Sequence, residues 1–238
     1  MDRKLAALIS DSSSIVFFGG AGISTESGIP DFRSASGLYN KKYDYPPEVM
    51  LSHTFFEEHT KEFFDFYRRN LVHTDAKPNA AHIALATLES AGKLKAVITQ
   101  NSYGLHQAAG SRSVLELHGS VMRNYCTKCG KFYPLSAVTG TDGVPRCSCG
   151  GVIKPDVVLY EEALNDDTVS RAVDFIRRAD MLIIGGTSLN VYPAAGLIRY
   201  FSGKHLVLIN RDPTPADGIA ELVYHKNAGD VLGPGDNK

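Results

Sequence analysis

Residues 15–25 read Ile15-Val16-Phe17-Phe18-Gly19-Gly20-Ala21-Gly22-Ile23-Ser24-Thr25. Four consecutive apolar residues suit a strand buried on both faces, as in the middle of a parallel sheet. The glycines that follow make the tight strand-to-helix turn by which backbone N–H groups approach a pyrophosphate at a helix N-terminus. Alone, this stretch is also explained by a tight turn that binds nothing. Thr25 stands where the dinucleotide fingerprint has its third glycine, and no acidic residue closes a second strand about twenty positions later, so the dehydrogenase pattern fits badly.

Working outward, short apolar runs recur at Leu94 to Thr99, Val114 to Leu117, Met181 to Ile184 and Leu206 to Ile209. Helical patterns lie between them, among them Asn79 to Ser90 after Pro78, and Asp167 to Arg178 with Val169, Ala172, Val173 and Ile176 on one face. Such alternation predicts an α/β fold, a Rossmann-like parallel sheet. Residues 36–75, rich in aromatics, and 120–156, which hold the cysteines, break the alternation. They are expected to be two insertions that build a smaller helical and zinc-binding domain, with 1–35, 76–119 and 157–238 forming the main one.

The 238 residues are 43% hydrophobic, enough to bury a substantial core. With 25 Lys and Arg against 26 Asp and Glu the net charge is −1, so no bulk attraction to nucleic acid or an anionic membrane is expected. Arg3 and Lys4 precede a short apolar run that Asp11 interrupts, the pattern of an amphipathic helix. No apolar run approaches the ~20 residues of a membrane span. The expectation is a soluble, cytoplasmic protein.

All four cysteines fall in one window, Cys126-x-x-Cys129 and Cys147-x-Cys149. Two close thiol pairs on turns favour a metal over disulfides and match a tetrahedral structural zinc site, one ion per chain. Four protein ligands leave no position open for a reacting water, so the zinc is assigned to structure.

Beyond the glycine turn, Ser27-Gly28-Ile29-Pro30-Asp31-Phe32-Arg33 sets a rigid proline, a carboxylate, an aromatic and a guanidinium directly after it. Further along come Thr99-Gln100-Asn101, Gly104-Leu105-His106, Leu117-His118-Gly119, the cysteine pairs, Lys154-Pro155-Asp156-Val157-Val158, Gly186-Thr187-Ser188-Leu189 and Ile209-Asn210. This ordered set, spanning nearly the whole chain, resembles the sirtuin family. The resemblance implies an NAD-dependent protein lysine deacylase acting on acylated lysine side chains. It assigns Ala21, Gly22, Thr25, Asp31, Phe32 and Arg33 to the cofactor loop. Gln100, Asn101, Ser102 and Tyr103 fall on the ribose and nicotinamide side, and Thr187, Ser188 and Asn210 on the phosphates and adenosine. Val157, Val158 and Leu159 would pair with the substrate backbone. Each residue also has a plainer reading: Thr187 and Ser188 as helix caps, Asn210 as a strand end, Lys154 to Leu159 as a connecting strand.

Of eight histidines, His53, His59, His73, His205 and His225 read as ordinary surface or packing residues, and His82 and His106 as orienting or packing residues near helix starts. His118 directly follows a strand and precedes Gly119, at the carboxyl edge where α/β proteins bind ligands. It also falls on the sirtuin catalytic histidine. The resemblance then implies that the acyl oxygen attacks the ribose carbon as nicotinamide leaves, that His118 removes a ribose hydroxyl proton, and that O-acyl-ADP-ribose is a product. An imidazole of ordinary pKa, about 6.5, suits that task.

Ser102-Tyr103 stands where the family has Ile-Asp, which implies an altered nicotinamide pocket with reduced or modified activity and weak nicotinamide inhibition. Sirtuins that prefer acidic acyl groups carry Tyr-x-x-Arg on the helix after the cofactor loop. Phe63 to Arg69 here places Asp65 or Phe66 three residues before an arginine, so an acetyl or longer apolar acyl group is expected. Two other functions fit the same residues: ADP-ribosyl transfer or NAD hydrolysis, and NAD binding without catalysis. Substrate proteins and oligomeric state are not legible in the chain.

Overall fold

The computed structural model describes residues 2–32, 34 and 37–234. Six parallel strands form the main sheet: β1 (Ile15–Gly19), β2 (Leu94–Thr99), β3 (Val114–Glu116), β7 (Met181–Gly185), β8 (His205–Ile209) and β9 (Leu222–Tyr224), in the order β3-β2-β1-β7-β8-β9. Between β3 and β7 in the chain, β4 (Gly119–Cys126), β5 (Phe132–Pro134) and β6 (Ile153–Val157) form a second, antiparallel sheet in the order β5-β4-β6.

The apolar run that begins the chain's first strand explains how the main sheet is buried. Because side chains alternate across a strand, Ile15 and Phe17 enter one core with Leu5, Leu85, Val97 and Ile183. Val16 and Phe18 enter the other with Ile98, Ile176, Leu182 and Leu208. All four residues of the run are fully buried, as helices on both faces require. Two of those helices show clear start signals. Asn79 caps Ala80–Ser90 by accepting from the Ala81 and His82 amides, and Asn165 caps Asp166–Arg178 by accepting from Thr168. The second also carries Asp166 and Asp167 in its first turn and Arg177 and Arg178 in its last, charges that complement its dipole.

A third core joins the two stretches that interrupt the alternation. Phe55, Phe56, Phe63, Phe64 and Tyr67 from helices His53–Glu58 and Thr60–Asn70 pack with Val121, Cys126 and Ile153 from the antiparallel sheet and with Leu159 just beyond it. No helix among the described residues is long and apolar enough to cross a membrane.

β9 was not foreseen. It is three residues long, half-buried and lies at the sheet's edge, so it lacks the apolar run that marks the other strands. The tight 3₁₀ helix Ala194–Tyr200 was likewise not foreseen.

Candidate functional site

The chain leaves β1 towards β2 on one side, while β7 lies on the other, so the carboxyl ends of β1 and β7 mark the point where strand order reverses. Crevices form there in open α/β sheets. Here two loops meet glycine against glycine. Gly20 N–H donates to the Gly185 carbonyl at 3.2 Å, and Gly22 N–H to the Gly186 carbonyl at 2.8 Å. A methyl on Gly22 would sit 2.8 Å from Gly186 Cα. One on Gly186, whose φ is +61°, would sit 2.2 Å from the Ile23 nitrogen. The amides of Gly20 and Gly22 are thus spent holding the turn to the β7 loop. Their contribution is shape, where the sequence suggested donors for a phosphate.

The turn continues as a 3₁₀ helix, Ala21–Ser27. Thr25 Oγ1 donates to the Gly22 carbonyl at 3.0 Å. From the end of β2, Asn101 Nδ2 donates to the Gly20 carbonyl at 3.0 Å and lies 3.1 Å from Ser24 Oγ. Gln100 Nε2 donates to Thr187 Oγ1 at 3.1 Å, and the same oxygen accepts from the Leu189 amide at 3.2 Å, so Thr187 caps its own loop while tying it to β2. Asn210, at the end of β8, donates through its main chain to the Tyr224 carbonyl at 3.0 Å.

These residues surround one cavity of about 370 Å³. Its walls bring together Ala21, Gly22 and Thr25 from the turn, Asp31 and Phe32 from the segment after it, and Gln100, Asn101, Ser102 and Tyr103 from the segment after β2. His118, Val157, Val158, Leu159, Thr187, Ser188 and Asn210 complete the expected set. Arg33 lies outside the described residues.

His118 Nδ1 sits 3.0 Å from the Gln100 carbonyl oxygen. A carbonyl only accepts, so Nδ1 carries the proton and Nε2 keeps its lone pair. Burial pushes the imidazole below its ordinary pKa, and the Gln100 carbonyl opposes that shift. The His118 carbonyl accepts from the Val158 amide at 3.0 Å. Next to it, Gly119 has φ +71°, and a Cβ there would lie 1.9 Å from the Asp156 carbonyl oxygen. The segment Val157 to Leu159, which begins at the end of β6, therefore crosses directly over the histidine's main chain. Its far end is fixed by Glu162, which accepts from the Leu159 amide at 2.9 Å and pairs with His53 and Lys154.

Ser102 and Tyr103 take different positions. Ser102 is buried, its carbonyl accepting from the Val121 amide at 3.0 Å. The Tyr103 ring lies edge-on to His73 at 5.5 Å, and burial raises its hydroxyl to about 12. The buried Tyr67 phenol is also raised, by burial first and then by Tyr103.

Sequence reasoning missed several cavity residues. Arg211 reaches Asp31 at 3.6 Å, linking the segment after β8 to the one after the glycine turn. Tyr39 and Tyr160 share a hydroxyl–hydroxyl hydrogen bond. Val191, Tyr192 and Pro193 supply another wall. None belongs to a repeated or spaced pattern in the chain.

The cysteines converge. All four Sγ atoms lie within 4.8 Å of one another, with Cys126 to Cys149 at 3.4 Å and Cys129 to Cys147 at 3.7 Å. Zinc–sulfur bonds of about 2.3 Å in a tetrahedron put sulfurs roughly 3.8 Å apart, so this donor set fits zinc. Tyr133 donates its hydroxyl to Cys147 Sγ at 3.0 Å.

The Sir2 family profile matches residues 20–193. An NAD-dependent protein deacetylase of Clostridium perfringens is 59% identical over 235 residues, covering 97% of this chain and 96% of its own. One of Cutibacterium acnes is 59% identical over 232 residues, covering 97% and 95%. A solved complex of Sir2 with a p53 peptide and NAD+ superposes with a TM-score of 0.84 at 40% identity, covering 98% of this chain and 96% of that one. A Sir2 structure bound to a propionylated peptide gives 0.85 at 39% identity, covering 97% and 94%. On this likeness across almost its whole length, the chain belongs to the Sir2, or sirtuin, family.

Proposed function

We propose that this protein is an NAD-dependent protein lysine deacylase, releasing free lysine, nicotinamide and O-acyl-ADP-ribose. The observation that carries the reading is His118, its Nδ1–H held by the Gln100 carbonyl and its Nε2 left as a base, in one cavity with the glycine turn. The relatives are named deacetylases, and solved family members hold NAD+ and acylated or p53 peptides.

The residues present fit a dinucleotide: Gly22 and Gly186 meet backbone to backbone, which brings their two loops together at the cavity, and Gln100 and Asn101 line it. NAD supplies an electrophilic ribose carbon and nicotinamide as leaving group. His118 Nε2 takes up the ribose hydroxyl proton, and the Gln100 carbonyl stabilises the imidazolium so formed. Thr187, Ser188 and Asn210 take the phosphate and adenosine end, with Ala21, Gly22, Thr25, Asp31, Phe32 and Arg33 in the cofactor loop. The acylated lysine of a protein or peptide lies along Val157 to Leu159. Zinc held by Cys126, Cys129, Cys147 and Cys149 staples the antiparallel sheet.

The division into a main domain and a smaller one built from 36–75 and 120–156 is part of this reading, supported by the separate third core. We assign the site of action to the cytoplasm. Acetyl or longer apolar acyl groups are preferred: Asp65 and Phe66, which stand three residues before Arg68 and Arg69, bring no hydroxyl with which to recognise an acidic acyl chain. Mass spectrometry of an acetyl-lysine peptide incubated with and without NAD tests the function. Free lysine peptide and O-acetyl-ADP-ribose appearing only with NAD are expected. ADP-ribosylated protein or free ADP-ribose without deacylation would point to the transferase or glycohydrolase reading.

A further inference from the structure

Asn79 stands at the start of helix Ala80–Ser90, far in sequence from the glycine turn, yet its side chain reaches that turn. Its Oδ1 accepts from the Ala81 amide at 3.0 Å and lies 3.4 Å from the His82 nitrogen. Its Nδ2 donates to the Ile23 carbonyl at 2.8 Å and lies 3.0 Å from Ser27 Oγ. The amide's orientation is unambiguous, because one end faces amide donors and the other a carbonyl acceptor.

A single side chain therefore both caps a helix and holds the middle and end of the 3₁₀ turn. His82 fixes it from below: His82 Nδ1 is 2.9 Å from Asn79 Oδ1 and 3.3 Å from the Asn79 nitrogen. His82 is fully buried against His106, with ring centroids 4.7 Å apart, and His106 leans on Phe17 of β1 at 6.1 Å. Burial lowers His82 to about 4 and His106 to about 3, so both rings stay neutral across physiological pH. The chain of contacts runs from the sheet through two imidazoles to the asparagine and on to the turn.

We propose that Asn79 is a positioning residue for the dinucleotide-binding turn, holding Ile23 and Ser27 in place while His82 and His106 hold Asn79. The proposal rests on the reading of the turn as the NAD site. It differs from the role of Asn101, which grips Gly20 and Ser24 and itself lines the cavity. Asn79 is not among the residues lining the cavity and acts only through the turn.

Asn79→Asp separates the two jobs of this side chain. It keeps an oxygen to cap the helix but replaces the amide donor with a second acceptor facing the Ile23 carbonyl. Hydrogen exchange of residues 20–28 in the absence of NAD reads the clamp itself, and calorimetric NAD affinity reads its consequence. We expect exchange in 20–28 to quicken at least tenfold while 81–90 stays protected. NAD affinity should fall about five- to tenfold, KM for NAD should rise and kcat should change less than twofold. Ser27→Ala should give a smaller change in the same direction. Unchanged exchange in 20–28, or faster exchange throughout 81–90, overturns the clamp. Parent protein that binds no NAD overturns the functional reading instead, and the exchange result still decides the clamp.

Discussion

The Nδ1 atom of His118 is 3.0 Å from the carbonyl oxygen of Gln100, and that contact selects the tautomer able to accept a proton at Nε2. Gln100 also donates through its side chain to Thr187, so the residue that orients the base ties β2 to the loop after β7. Three parts of the cavity wall share one residue.

Replacing His118 with Ala should lower kcat/KM for an acetyl-lysine peptide about 10²- to 10⁴-fold, the range for removal of a general base. NAD affinity should change little. Because burial depresses the imidazole pKa and the base must be neutral to act, activity should persist below the ordinary histidine pKa of about 6.5 before falling on the acid side. A pH profile of kcat/KM checks this, and an acid limb centred above neutrality contradicts it.

The Gly22–Gly186 contact admits no methyl group. Gly186→Ala must relieve both a positive φ and a 2.2 Å approach to Ile23, and should destabilise the protein by about 1–3 kcal/mol while weakening NAD binding. Denaturant melts and calorimetry test the two effects.

Removing zinc should unfold the antiparallel sheet before the parallel one. Chelation, or Cys147→Ser, is expected to lower Tm by more than ~5 °C with loss of one equivalent of zinc. Tyr133→Phe, which deletes the hydroxyl donor to Cys147, should speed zinc loss to a chelator without unfolding the chain. Equal release rates would count against that hydrogen bond.

Tyr103 should govern the response to nicotinamide. Its ring packs on His73, and a phenol with a pKa of about 12 is neutral where a carboxylate would be charged. Restoring Ser102→Ile with Tyr103→Asp should strengthen nicotinamide inhibition between about five-fold and a hundred-fold. Dose–response curves for parent and double variant decide it.

His205 bridges Glu221 at 2.7 Å and Asp11 at 3.3 Å, joining the first helix to β8 and the segment before β9. The Glu221 hydrogen bond raises its pKa. A raised folded-state pKa adds stability that is complete below the unfolded value of about 6.5 and fades as pH climbs through the folded one. Glu221→Gln should therefore lower Tm at pH 5.5 and leave it nearly unchanged at pH 9.

Much of this architecture was legible because the signals are local. The runs at 15–18, 94–99 and 181–184 suit central strands, and two close cysteine pairs favour a metal. His118 was legible from its place after a strand and before a glycine. The contacts that escaped are long-range: Asn79 with Ile23, Arg211 with Asp31 and Tyr39 with Tyr160 join residues 56, 180 and 121 positions apart. A cap residue such as Asn79 announces only the helix it starts. His205 read as an ordinary surface or packing residue, and its burial between two carboxylates depends on elements the sequence does not place together.

The crossing at Gly119 carries a lesson for redesign. Because His118 and Val158 share a hydrogen bond and Gly119 has no room for a side chain beneath Asp156, His118 and the segment over 157–159 are held together as a single casting. Grafting a foreign loop over 157–160 would drag the imidazole off its target. New acyl selectivity is better sought by exchanging individual side chains that face the cavity.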